Sequence, residues 1–409
     1  MRLPALGIIA LYIFSILIDI YITLDVKSVS KKRIWPIVYL ITSILFWAFL
    51  TVIISLPRRD GGSDILPVMW MLYAYLSVYL AKFVYAISSI LGKLLRYSFG
   101  IFPYSHPFKW FGILSGLSLC GVMWIGAFYT TRHIDINQVE IKSNKLPKAF
   151  DGYRIAQISD LHVGTWGEDT SFVSALVDSV NSLRPDLIVF TGDIVNRHTR
   201  ELYPFIPILK RLKATDGVYS IFGNHDYGDY LEWANKEDKE ENNLLLARNQ
   251  QKMGWKLLNN DKSFLKKDND SIILIGVENW GDPPFPTYGD LDIAIPSSPD
   301  STVHQNDENF KILLSHNPEH WNQEVSKKTN IDLTLSGHTH AMQVLLKIKD
   351  WKWSPSKYRY EQWGGLYERE NHKGENTQLY VNIGAGEVGM PARLLNAYPE
   401  ITIFTLRSK

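Results

Sequence analysis

Cysteine is almost missing from this chain. Cys120 is the single one among 409 residues, which excludes an intramolecular disulfide and any zinc site built on thiolates. The lack of disulfides leaves the compartment open. Net charge is missing too. The 43 basic and 42 acidic residues leave +1, which argues against a surface dominated by nucleic-acid binding, though not against a local basic patch. No internal repeat and no long low-complexity segment is present, so a repeat array is not expected. What the chain does have is length and apolar sequence. The length suggests two or more units, and the mean hydropathy of −0.09 averages two unlike halves.

Residues 1–130 are mostly apolar. Four stretches, 4–24, 34–56, 65–91 and 108–129, are long enough to cross a bilayer, which takes about 20 apolar residues. Polar or turn-rich breaks at 25–33, 57–64 and 92–107 separate them. Four such runs in series are rare in soluble cores, so transmembrane helices are expected. The first run is read as a span and not as a cleaved signal. Arg2 is the only early basic residue, no small-x-small cleavage site follows, and more spans come after it.

Four spans put both ends of this region on one side of a membrane. The first connecting loop holds Lys27, Lys31, Lys32 and Arg33. The third holds Lys93 and Arg96, with Lys109 at the edge of the next span. In the second, Arg58 and Arg59 are offset by Asp60 and Asp64. Basic loops favour the cytoplasm, so loops one and three are expected inside and the C-terminal part outside. Arg132, Lys142, Lys145 and Lys148 follow the last span and weaken that asymmetry. Asp19 and Lys82 fall within spans. They are expected as an interfacial carboxylate and a snorkelling lysine, with a functional intramembrane charge as the alternative. Trp35, Trp47, Trp70, Trp110 and Trp124 include several near span ends, as an aromatic belt would place them.

From His133 the chain changes character. Residues 134–141 alternate apolar and polar, as a half-buried strand does. Strands at 154–159, 187–191 and 217–222 then alternate with helices at 171–182 and 202–213, the spacing of a layered α/β sheet. Further strands are expected at 272–277, 310–315, 333–336, 379–383 and 400–406. The charge run at 235–243 reads as a solvated helix face.

Five fragments in this second half repeat one pattern, an apolar strand followed by residues of ligand type. They are S-D-L-H with Asp160 and His162, T-G-D-I-V-N with Asp193, F-G-N-H-D with Asn224, His225 and Asp226, L-S-H-N-P with His316, and S-G-H-T-H with His338 and His340. Asp160 and His162 are expected on one face of a strand tip, because residues two apart in a strand point the same way. Ligands at strand C-termini converge on one rim of an α/β sheet. Gly192, Gly223 and Gly337 permit the tight exits such loops need. Carboxylate, amide and imidazole donors together suit Mn, Fe, Zn or similar ions, and the set is large enough for two. Two divalent ions clamp the attacking and leaving oxygens of an in-line displacement.

The motif string D-x-H, G-D, G-N-H-D, H, G-H-x-H resembles that of the calcineurin-like metallophosphoesterase superfamily, and the similarity covers roughly residues 134–406. G-N-H-D-Y at 223–227, G-H-T-H-A-M-Q at 337–343 and P-E-I-T at 399–402 look most like its membrane-associated branch, which includes YkuE-type phosphoesterases, transmembrane proteins with a metallophosphoesterase domain and UDP-2,3-diacylglucosamine hydrolases. Ala341 and Met342 stand where many relatives have two glycines, so the loop is expected to differ there. The resemblance implies a four-layer α-β-β-α sandwich over 134–409, preceded by the four spans. It implies that Asp160, His162 and His340 hold one metal, that Asn224, His316 and His338 hold a second, and that Asp193 bridges them. His225 would face the phosphate as charge stabiliser or general acid, with Asp226 as an orienting neighbour.

Other stretches are less specific. The aromatic and basic segment 351–367 fits a substrate lip or an ordinary hairpin. Arg393 is read as a surface arginine, with phosphate contact as the alternative. His198 and His320 are read as bystanders. Together these features point to an integral membrane hydrolase that cleaves a phosphoester or diphosphate bond with two divalent metals. Its substrate is expected to be amphiphilic, a lipid phosphate or a nucleotide-linked lipid of the UDP-diacylglucosamine type. The alternatives are a metal-binding membrane sensor and a nuclease of the same superfamily. The complete ligand string counts against the first, and the near-neutral charge and four spans count against the second.

Overall fold

The computed structural model describes residues 5–30, 32–56, 65–99, 106–283, 286–295 and 309–409. Lys31, the second connecting loop with its two arginines and two aspartates, and residues 100–105 of the third lie outside the described residues. The chain divides into a four-helix unit and an α/β unit, and each is described by itself.

The four-helix unit contains α1 (Ala5–Val29), α2 (Ile34–Ser55), α3 (Ile65–Phe99) and α4 (His106–Phe128). All four are long and apolar enough to cross a membrane. Leu6, Ile9, Ile13, Leu17, Ile20 and Leu24 of α1 lie exposed along the helix, an arrangement that suits lipid because hydrocarbon neither competes for hydrogen bonds nor rejects apolar surface. The third helix differs from expectation. It runs on through Gly92 to Phe99 and has 35 residues, which at 1.5 Å per residue is about 52 Å. The reason is visible in its polar tail, where Lys93 pairs with Asp25 at 2.5 Å and lies 4.7 Å from the Tyr21 ring centre.

The expectation for the intramembrane charges is overturned. Asp19 is 1% exposed and is neither interfacial nor unpaired. It accepts hydrogen bonds from Tyr39 and Tyr79 at 2.6 Å and from Lys82 at 2.9 Å. The Lys82 ammonium also faces the Tyr79 ring at 4.4 Å and the Phe46 ring at 5.1 Å. A lysine that could snorkel instead stays among aromatic faces and a carboxylate, because its partner comes from another helix.

The α/β unit is built on two six-stranded sheets. The first has the order β1 (Asp135–Ser143), β15 (Glu400–Ser408), β2 (Arg154–Ile158), β3 (Leu187–Phe190), β4 (Val218–Ser220), β5 (Trp255–Leu257). The second has the order β12 (Gly365–Glu370), β13 (Asn376–Val381), β9 (Leu333–Ser336), β8 (Lys311–Leu314), β7 (Asp270–Gly276), β6 (Asp261–Lys267). A small sheet joins β11 (Trp351–Trp353), β10 (Val344–Ile348) and β14 (Leu394–Leu395). Strands β2 to β5 are mutually parallel, as are β7, β8, β9 and β13. Parallel strands covered on both faces read as unbroken apolar runs, as L-I-V-F at 187–190 does.

Alternation along β2 sets the layers. Ile155 joins Leu187, Phe404, Leu274 and Leu335 in a core between the sheets. Ala156 and Ile158 face the other way, onto helices α5 (Ser171–Ser182), α6 (Ile206–Leu209) and α7 (Lys236–Lys252), whose Val173, Leu176, Leu209 and Leu246 fill that side. The second sheet's outer face packs Ile273, Leu313 and Leu379 against Trp321 and Val325. The result is an α-β-β-α sandwich. Gln157 ties the sheets across the core, its side-chain N–H groups reaching Thr191 Oγ1 at 3.0 Å and the Ser336 carbonyl at 2.9 Å. The helix expected over 202–213 is instead a 3-10 segment, Thr199–Phe205, followed by the single turn of α6. Pro204 and Pro207 lack the N–H groups a continuous helix needs. The charge run forms the exposed start of α7, capped by Asn235, which accepts from Asp238 N at 2.7 Å.

Candidate metal centre

The C-terminal ends of β2, β3, β4, β8 and β9 each lead into a short loop carrying one of the five fragments. These loops are locked together by backbone bonds before any side chain is considered. Asp160 N donates to Gly192 O at 2.9 Å, His162 N to Asp193 O at 3.1 Å, and Gly337 N to His316 O at 3.0 Å. Asp160 and His162 do not share a strand face, as the alternation rule predicts. The strand stops at Ile158, and both residues adopt left-handed backbone, with φ of 52° and 43°. A tight turn, not strand alternation, brings them together. Asp193, His338 and His340 are left-handed as well. Such conformations cost of order 1–3 kcal/mol each for non-glycine residues and persist only where the surroundings impose them.

Two glycines make room for the carboxylates. A Cβ on Gly337 would lie 2.2 Å from Asp160 Oδ2, and one on Gly223 would lie 2.2 Å from Asp193 Oδ1. Ala341 and Met342 also take left-handed backbone, with φ of 50° and 46°. The turn therefore adopts a conformation that suits glycine without having glycine there.

The side chains fall into two groups. Asp160, His162 and His340 form one, with His162 Nε2 and His340 Nε2 3.1 Å apart and His340 Nε2 3.1 Å from Asp160 Oδ1. Asp193, His316 and His338 form the other. Asn224 joins the second group, its Oδ1 lying 3.1 Å from His316 Nε2 and 2.9 Å from His338 Nδ1. Asp193 Oδ2 lies between the groups, 3.1 Å from His316 Nε2 and 3.6 Å from His162 Nε2. Carboxylate, imidazole and amide lone pairs thus converge on two points in a buried space, a donor set that fits divalent transition ions.

Neighbours fix which atom of each ligand faces inward. His316 Nδ1 meets the Thr191 carbonyl at 2.7 Å, leaving Nε2 for the centre. Asn224 Nδ2 donates to Tyr230 Oη at 2.8 Å, which turns Oδ1 inward. His338 Nε2 meets Tyr360 Oη at 3.0 Å, leaving Nδ1. Arg393 is fully buried and not a surface residue. It donates to the carbonyls of Gly386 and Ile383, and its Nη2 lies 3.3 Å from His340 Nδ1. Tyr230, Tyr360 and Arg393 are positioning residues that the motif string does not contain. The only signal for Tyr360 was the aromatic segment 351–367, part of which pairs β10 with β11 as a hairpin would.

His225 stands beside both groups. Its Nδ1 meets the Asn196 carbonyl at 2.7 Å, its ring stacks on Tyr230 at 4.3 Å, and its edge contact with His162 is 4.8 Å between ring centres. Burial holds its pKa below the ordinary histidine value. The Asp226 carboxylate accepts from the backbone N–H groups of Gly223, Asp193, Ile194 and Val195 at 2.8–3.3 Å. Asp226 therefore holds the Asp193 loop, and the His225 ring is oriented by Asn196. Burial and the adjacent Asp193 charge push Asp226 up to about 7. His316 is drawn the other way. Burial opposes its charge, but Asp193 at 3.1 Å raises it to about 9. His338, half-buried and beside His316, is lowered to about 3 by desolvation and that neighbour's charge. His198 accepts from Arg200 N in its own turn, and His320 stacks on Trp280, so neither joins the two groups.

Comparison with known proteins places both parts of the chain. The profile of the family described as calcineurin-like phosphoesterase matches residues 153–342. That described as probable calcineurin-like phosphoesterase, transmembrane domain, matches residues 2–130. The chain is 31% identical over 309 residues to the uncharacterized metallophosphoesterase YkuE of Bacillus subtilis, covering 73% of this chain and 96% of that protein. It is 31% identical over 278 residues to the transmembrane protein with metallophosphoesterase domain of Danio rerio, covering 66% of this chain and 56% of that one. An uncharacterized metallophosphoesterase of Helicobacter pylori is 30% identical over 299 residues, with 72% and 69% covered.

Proposed function

The chain belongs to the calcineurin-like metallophosphoesterase family, and on that premise we propose that it hydrolyses a phosphoester or diphosphate bond in a lipid-linked substrate, with 1–130 as membrane region and 134–409 as hydrolase domain. The observation that carries this is Asp193 Oδ2, poised between two ligand groups at 3.1 and 3.6 Å. Asp160, His162 and His340 would hold one ion and Asn224, His316 and His338 the other, with Asp193 within reach of both groups. Divalent ions held there would supply charge to offset the phosphoryl group and to acidify a water. Mn, Fe and Zn all suit the donors.

The protein's own groups do the rest. His225, held through Nδ1 by Asn196, presents Nε2 to the phosphate, takes up a proton as the anion arrives, and gives it to the leaving oxygen. Asp226 keeps Asp193 in place. The family assignment supports phosphoester chemistry, and the four apolar helices support an amphiphilic substrate. The lysine- and arginine-rich first and third loops favour an extracytoplasmic hydrolase domain. A UDP-diacylglucosamine-type diphosphate belongs to the cytoplasmic leaflet, so the two readings separate experimentally. A reporter fused at Lys409 and read on both sides distinguishes them. An outside signal leaves lipid phosphates and removes the nucleotide-linked lipid.

Hydrolysis of a chromogenic phosphodiester by the full chain with manganese tests the chemistry. Activity abolished in Asp193→Asn is expected. Absence of activity with both metals bound, unchanged by that substitution, would make the centre a sensor instead.

A further inference from the structure

Helix α1 turns two carboxylates into the four-helix unit, and they are not neutralised alike. Asp19 is matched by one ammonium, that of Lys82. Asp25, also 1% exposed, takes two: Lys93 at 2.5 Å and Lys109 at 2.8 Å, with the Tyr85 hydroxyl donating at 2.6 Å. Two ammonium groups therefore face one carboxylate. Lys93 relieves part of this by keeping its side chain 43% exposed. Lys109 does not, being only 8% exposed. An ammonium has three N–H donors, and the Asp25 oxygens, both 2.8 Å from Lys109 Nζ, engage two of them.

A cavity of about 570 Å³ opens beside Lys109. Tyr39 and Tyr85, whose hydroxyls donate to Asp19 and Asp25, line it together with Val38, Trp110 and Ile113. Trp110 is 64% exposed and has the amphipathic ring that tryptophan carries to a membrane interface. The chain around the cavity is strongly basic. Segments 25–33 and 92–109 contain seven lysines and arginines against Asp25 alone. The first 127 residues hold only three other acids, Asp19, Asp60 and Asp64, of which Asp19 is matched by Lys82 and the other two follow α2 in the chain. The two ammonium groups carry one positive charge more than Asp25 can balance, and the described residues around this cavity supply no second carboxylate.

We propose that the four-helix unit carries its own binding site for an amphiphile with an anionic head group, which pairs with Lys109 while its chain lies along Val38 and Ile113. The site shares no residue with the metal centre. Phosphate is the simplest head group that fits an ammonium, and its two sources are a lipid and free phosphate in solution.

Calorimetry on the full chain in an uncharged detergent, with chelator present so that the rim holds no metal to take up phosphate, distinguishes these sources. Dioctanoyl phosphatidylglycerol is expected to bind saturably at one per chain, dioctanoyl phosphatidylcholine at least about tenfold more weakly, and inorganic phosphate not measurably. Lys109→Met, which leaves Asp25 paired to Lys93, is expected to weaken the anionic lipid by about tenfold or more. Val38→Trp, which fills the cavity without touching a charge, is expected to do the same and keeps the proposal testable if the lysine variant fails to fold. Both variants should keep hydrolysis of a soluble chromogenic phosphodiester. Asp193→Asn should leave this lipid binding unchanged. Equal binding of both lipids, undiminished binding in the cavity variants, loss of binding in Asp193→Asn, or phosphate binding as tight as lipid would each overturn the site as described.

Discussion

The membrane helices and the hydrolase rim both bury carboxylates, and they meet them with different cations. In the helices the partners are lysines, Lys82 for Asp19 and Lys93 with Lys109 for Asp25. Both partners of each pair come from the chain itself, so the pairing is built in. At the rim, Asp160 and Asp193 face imidazoles that exist neutral or charged. There the compensating charge is exchangeable, and the donor set is shaped for ions taken from solution. The same physical demand, that a buried carboxylate be neutralised, thus yields a fixed lock in one region and a loadable site in the other.

The comparison breaks most visibly at Asp193. Asp193→Asn keeps the shape of the side chain but removes the charge shared between the groups. Turnover of a chromogenic phosphodiester is expected to fall by about 10³-fold or more, since metal stabilisation of phosphoryl charge is worth several kcal/mol. In the helices, Asp19→Ala should leave Lys82 buried without its carboxylate. A loss of about 3–5 kcal/mol is expected, read as a shift in detergent-denaturation midpoint, with most of it restored when Lys82→Met is added. A single mutant as stable as the parent would mean that the pair is not a lock.

Smaller changes sharpen the distinction. Tyr360→Phe removes the hydroxyl on His338 Nε2, and metal affinity or turnover is expected to fall about 10–100-fold, as for other residues behind a ligand. Proton competition should mark the rim and not the helices. In the metal-free protein His316 holds its proton up to about pH 9. Metal uptake must displace it, so affinity should rise by about tenfold per pH unit toward 9 and then level off. The same raised value stabilises the metal-free domain below the ordinary histidine pKa, and that contribution is lost as pH rises through about 9. Calorimetry in buffers of different ionisation enthalpy counts the released proton. The smallest effect is expected at Met342, left-handed and 43% exposed. Met342→Gly should stabilise by about 1 kcal/mol, seen as a modest rise in Tm.

The two regions were also unequally legible in the sequence. Every rim ligand lies in a loop directly after a parallel strand, so short fragments such as S-G-H-T-H carry both the strand's end and the donors. The grouping of Asp160 with His162 and His340, and of Asp193 with His316 and His338, is seen in the structure; from the sequence it comes only through the family resemblance. The turn that joins Asp160 to His162 was not legible, because left-handed backbone at a non-glycine residue leaves no mark in composition. Arg393 and Tyr360 were hidden for a different reason. They act through contacts 53 and 22 residues away, with no motif of their own. The helix ion pairs span 63 and 84 residues. Periodicity within one span cannot show a partner on another, and so Asp19 and Lys82 read as peripheral charges.

Anomalous diffraction from manganese-loaded full-length protein tests the two-ion rim most directly. Two peaks about 3.5–4 Å apart, one beside Asp160, His162 and His340, the other beside Asn224, His316 and His338, both in reach of Asp193 Oδ2, are the predicted result. A single peak in fully active protein, or two that do not share Asp193, would contradict it.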